Sequence, residues 1–182
     1  MKKIATLLFV SIFALTSCSD DGAVGPQGPQ GPQGEDGINI LGATYEYDAN
    51  FEYIASANYY SAFLDFDQIE PSDGVLVYRL EIAQDSNGNN IDTWSLLPQV
   101  FFLEQGIIQY VFTHTNVDVE LILDGNFDLN NLDNGFTQNQ VFRVIVVPSD
   151  PAAFASSTGV DLSDIEAVMK TLNIDNSDII QM

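Results

Sequence analysis

Two short segments concentrate side chains able to hold a hard cation. Asp85-Ser86-Asn87-Gly88-Asn89-Asn90-Ile91-Asp92 places oxygen ligands at alternate positions, the spacing with which a calcium loop begins. The pattern breaks at Asn90, where such a loop turns on glycine, and at Leu96, where a bidentate Glu would close the shell. A hairpin between strands ending near Ala83 and beginning near Thr93 explains the same residues, and Asp128 to Gly135 reads as a second turn of this kind. No metal site is expected. His114 is the only histidine and Cys18 the only cysteine, so neither a multi-His zinc site nor a Cys/His nucleophile pair within the globular part can be assembled. No G-x-S-x-G elbow accompanies the many serines. Paired carboxylates could support glycoside hydrolysis, and a carboxylate-based hydrolase is kept as the weakest reading, because 26 acidic residues single out no pair. The expectation is a non-enzyme without a catalytic residue or cofactor.

Binding chemistry has better candidates. Trp94 with Tyr45, Tyr47, Tyr53 and Tyr59 could form a stacking platform for sugar rings, although aromatics at strand spacing more commonly pack in a core. Arg79 and Arg143 could form a fork for an acidic ligand. The competing reading pairs them across strands with carboxylates such as Glu81 or Glu120. His114, in line with Ile108, Tyr110 and Phe112, reads as a satisfied sheet histidine.

These residues must be positioned by residues 38–182, a length able to bury its own core without disulfides. Period-two alternation and Asn/Asp/Gly/Pro punctuation predict strands at Ile40–Tyr47, Tyr59–Phe66, Val75–Ala83, Thr93–Leu97, Val100–Leu103, Ile107–His114, Val117–Leu123 and Val141–Val147. Val117 to Leu123 has apolar residues at odd positions, as a strand with one buried face requires. Val141 to Val147 is apolar almost throughout, as a strand covered on both faces requires. The fold class is therefore mainly β, an antiparallel sandwich or jelly-roll-like domain. The period changes at Asp161–Leu172, where Leu162, Ile165, Val168, Met169 and Leu172 share one helical face and Ser163 with Glu166 fits a capping box. That predicts one C-terminal helix over 161–172.

The start of the chain addresses location. Lys2 and Lys3 precede an apolar run from Ile4 to Leu15, shorter than the roughly 20 residues a bilayer span needs, so residues 1–17 read as a secretory signal. Leu15-Thr16-Ser17-Cys18 resembles the lipobox of bacterial lipoproteins, which implies acylation of Cys18 and cleavage ahead of it. Ser19-Asp20-Asp21, within the tag at 18–21, resembles the acidic export signal of surface lipoproteins of Bacteroidota. That implies the outer membrane and its outer face, with a periplasm-facing lipoprotein as the alternative. From Gly22 to Gly37 glycine recurs every third residue, the requirement of a collagen triple helix. Residues 22–37 are either an extended linker reaching up to roughly 50 Å at ~3.1 Å per residue, or the stalk of a homotrimer.

Removing residues 1–17 takes Lys2 and Lys3 and leaves three basic residues against 26 acidic ones, a formal charge of −23. Such a surface repels phosphate backbones, which excludes nucleic acid as a partner. As a whole the chain resembles the small collagen-like surface lipoproteins of Bacteroidota, a resemblance carried by the features above and by "VLVYRLE", "WSLLPQ", "FDLNNL" and "FTQNQVFRVIVVP". It implies location and architecture rather than an activity. The functional expectation is a lipid-anchored cell-surface protein with a structural, adhesive or interaction role toward a surface protein or glycan; the alternative is a glycan-binding module of sandwich type.

Overall fold

The computed structural model describes residues 42–182. The expected signal peptide at 1–17, Cys18, the expected acidic tag, the Gly-X-Y stretch and the expected strand start at Ile40 lie outside the described residues.

The domain is a β-sandwich with helices over one outer face. Its first sheet has the order β10-β1-β9-β4-β5 and its second β2-β3-β8-β7-β6. The strands are β1 (Thr44–Ala49), β2 (Glu52–Ile54), β3 (Tyr59–Asp65), β4 (Gly74–Gln84), β5 (Asn90–Leu96), β6 (Gln99–Leu103), β7 (Gly106–His114), β8 (Asp118–Gly125), β9 (Gln140–Val147) and β10 (Ile180–Gln181). All pairings are antiparallel except β1 with β10.

Side-chain alternation decides which residues enter the core. Val119, Leu121 and Leu123 of β8 are wholly buried, and they meet Tyr45 and Tyr47 of β1, Val75 and Val77 of β4, and Phe142 and Val144 of β9 between the sheets. β4 and β9 lie inside the first sheet and are apolar on both faces. Leu76, Tyr78, Ile145 and Val147 point away from the sandwich into a second apolar cluster, closed by α1 (Pro151–Thr158) and α2 (Ile165–Thr171) through Phe154, Ile165, Val168 and Met169. The Tyr78 hydroxyl donates to the Leu162 carbonyl (2.6 Å), which ties the helical layer to the sheet.

Three expectations need correction. Among the described residues a second α-helix precedes the expected one, beside a 3-10 turn at Asn134–Phe136: α1 is capped by Asp150, which accepts from the Ala152 and Ala153 N–H groups, carries Pro151 in its first turn, and ends at Gly159 with φ 73°. The N-cap of α2 is Asp164, accepting from the Ala167 N–H (3.0 Å), and not Ser163; the Ser163 hydroxyl and N–H instead donate to Asp161. The short strands β2 and β10 add one edge to each sheet.

Candidate functional site

The five aromatic candidates do not form one platform. Tyr45 and Tyr47 are buried between the sheets, where the Tyr45 ring stacks on Phe66 (centroids 5.8 Å apart) and the Tyr47 hydroxyl donates to the Asp65 carbonyl. Tyr53 packs against the same core, 5.0 Å from the Tyr60 ring, and its hydroxyl donates to Asn58 Oδ1. Trp94 belongs to the helix-covered side of the first sheet, where the Arg143 guanidinium lies 4.2 Å from its ring centroid. Tyr59 alone stands on the outer face of the second sheet, since Tyr60 and Ala62 of the same strand point inward. The physical reason is strand alternation: residues rich in aromatic surface occupy both faces, and their type does not say which face is inside.

The two strand arginines do not form a fork. Arg79, 7% exposed, lies inside the sandwich, where it donates to Gln140 Oε1 (2.6 Å) and Glu81 Oε1 (3.1 Å) and stacks over Tyr110 (4.7 Å). Gln99 Nε2 donates to the other Glu81 oxygen (2.6 Å), so this network joins strands of both sheets. Burial pushes the Tyr110 hydroxyl up to about 12, against the opposing pull of the Arg79 charge. Arg143 is on the opposite face and pairs with Glu46 (2.6 Å), not Glu120; Glu120 accepts from the Ser61 hydroxyl (2.8 Å). His114 closes β7 but is exposed, with its Nδ1 3.1 Å from the Thr115 carbonyl, beyond the buried row that Ile108 and Tyr110 begin.

Both Asn/Asp-rich loops use their carboxylates on their own backbones. Asp85 Oδ1 accepts from the Asn87 and Asn89 N–H groups (both 2.8 Å) and Oδ2 from the Asn89 amide (2.9 Å), which lowers the Asp85 pKa. Asp128 and Asp133 cap Asn130 and Gly135 in the same way. Among the described residues, no three His, Cys, Asp or Glu side chains converge as a metal site would require.

The candidate site is the outer face of the second sheet. The helices are packed on the first sheet, and this face carries apolar side chains into solvent: Phe63 is 64% exposed and Phe102 81%. Register builds it row by row. Ile54, Tyr59, Asp124, Gln109 and Val100 lie across the five strands, with Ser61, Ile122 and Val111 in the next row and Phe63, Glu120 and Thr113 beyond. A shallow depression of about 320 Å³ opens there, lined by Ile107, Gln109, Asp124, Gly125 and Asn126. One Asp124 carboxylate oxygen is buried without a hydrogen-bond donor. Rings, carboxylates and amides thus alternate on a broad surface, which suits adsorption of an extended partner better than enclosure of a small molecule. The alternation that buries Tyr60, Ala62, Leu64 and Phe66 already turns Phe63 outward; Phe102 sits in the uniform run Val100–Leu103, where no alternation marks it.

No protein-family model, curated protein or solved structure matches this chain.

Proposed function

We propose that this is a lipid-anchored protein of the outer-membrane surface, non-enzymatic, whose sandwich domain meets a partner macromolecule through the outer face of its second sheet. The observation that carries the binding part is the inequality of the two outer faces. One is covered over β9 and the first half of β4 by α1 and α2, leaving only the far end of β4 at Ile82 open, and the other has no covering layer and presents Phe63, with half-buried Tyr59 and their carboxylate neighbours, to solvent. Anchoring rests on the Lys2–Cys18 pattern, and reach on the glycine repeat at 22–37, either as a linker or as a trimeric stalk. Two or three acyl chains on Cys18 supply the stable attachment that one chain does not. Replacing Cys18 by Ala releases the protein from the membrane fraction, and replacing Phe63 by Ser removes partner binding without unfolding. Unchanged fractionation and unchanged binding overturn the two parts separately.

A second reading, capture of a glycan, draws on the row Tyr59–Asp124–Gln109. A half-buried ring able to stack on a sugar stands on the same sheet face as a carboxylate and an amide side chain. Binding to a soluble polysaccharide panel, lost on Tyr59→Ala, supports it; no binding to any member rejects it.

A further inference from the structure

We infer that β6 is a self-association edge: two copies of this chain pair their β6 strands antiparallel about a twofold axis, joining their second sheets into one. This goes beyond the proposed function and does not depend on what the open face binds.

The backbone directions carry the inference first. The Ile107 carbonyl accepts from the Asn126 N–H (3.1 Å), and the Ile107 N–H donates to Asn126 Oδ1 (2.8 Å), so the odd residues of β7 face β8. Gly106, Ile108 and Tyr110 therefore face β6, opposite Leu103, Phe101 and Gln99. Those three residues of β6 spend their N–H and C=O groups on β7, and Val100 and Phe102 turn theirs to the open edge of the sheet. Their side chains, 46% and 81% exposed, lie on the same edge.

Charge carries it next. Glu104 is the only acidic residue between Thr93 and Val117, in a chain of formal charge −21. A second copy brings the same negative field, and β6 with its flanking hairpin adds only Glu104 of its own to that repulsion. The other edges differ: β2 carries Glu52, β5 carries Asp92, and β10 is two residues long. β6 has neither charge nor proline within Gln99–Leu103, the devices by which edge strands discourage pairing.

Self-pairing is geometrically complete. With the axis at Phe101, Val100 of one copy lies opposite Phe102 of the other, as a hydrogen-bonded pair on each side of the axis. All the outward N–H and C=O groups of Val100 and Phe102 are then satisfied, and each exposed Phe102 ring packs against the other copy's Val100. A twofold contact of this kind closes on itself and yields a discrete assembly.

The test mixes full chains carrying Val100→Cys with full chains carrying Phe102→Cys, under mild oxidation, and maps the disulfides by peptide mass. The hydrogen-bonded pair spacing of about 5.5 Å lies within disulfide reach. A 100-to-102 link that forms in the mixture and not with either chain alone is expected. In parallel, the sedimentation mass of the full chain is expected to fall twofold on Phe102→Lys with the melting transition retained. With a trimer formed through residues 22–37, the mass falls to that of the single trimer. Absence of the 100-to-102 link, or a mass unchanged by Phe102→Lys, overturns the inference.

Discussion

Arg79 shows how a scarce cation is used in so acidic a chain. Its guanidinium is desolvated between Tyr110 and Phe101, and Glu81, Gln140 and Gln99 take up its donors or hold the carboxylate it faces. Removing one partner of such a network leaves the others without bonds, which costs more than the network contributes net. Arg79→Ala is expected to destabilise the domain by about 2 to 3 kcal/mol, and Arg79→Met by less, because methionine keeps the packing against the rings. Chemical denaturation of both variants measures this; equal, sub-kilocalorie losses would mean that the network is solvated. Arg143 was legible only in part. A carboxylate partner follows from charge, but Glu46 and the Trp94 ring come from strand order, which sequence spacing does not specify.

At the scale of elements, strands long enough to display a pattern were readable and the shortest were not. Val119, Leu121 and Leu123 announce β8 by alternation, and the near-continuous run at Val141–Val147 announces a strand covered on both sides, as β9 is. β2 and β10, at three and two residues, are too short to display a period, and each exists because a neighbouring edge accepts it. α1 had a usable signal: Asp150-Pro151 at one end and Gly159 at the other are the start and stop chemistry of a helix. Its apolar content is too small to show a stripe, since only Phe154 is buried. For α2 the period was plain and the cap was misplaced by one residue, because Ser163 and Asp164 both suit an N-cap. Asp164→Ala is expected to cost about 1 kcal/mol and Ser163→Ala only a few tenths. Thermal melts of the two variants decide between them, and the reverse order would restore Ser163 as the cap. Gly106, with φ 151°, marks the tight end of the β6–β7 hairpin, where a Cβ would come within 2.2 Å of Asn126 Oδ1.

For the whole molecule, buried tyrosines join the aliphatic residues in the core of the sandwich. Burial raises the Tyr47, Tyr78 and Tyr110 hydroxyls above their ordinary value of 10.0, to about 12 for Tyr110. Because the fold favours the protonated hydroxyls, their contribution to stability is complete below pH 10. It is lost as pH rises, over about 10 to 12 for Tyr110. Tyrosinate absorbance from the buried Tyr47, Tyr78 and Tyr110 rings is therefore expected to appear above pH 10, together with unfolding. Their titration near pH 10 with the fold intact would contradict the packing described. The same large-scale arrangement, helices on one outer face and an open sheet on the other, carries the functional account. Its most direct test is binding to an array of glycans and outer-membrane proteins by the wild type, Phe63→Ser, and Lys170→Ser on the helical side. The account predicts at least one retained ligand, lost roughly tenfold on Phe63→Ser, equivalent to about 1.4 kcal/mol, and unaffected by Lys170→Ser. Binding that survives Phe63→Ser, or that Lys170→Ser abolishes, would contradict it.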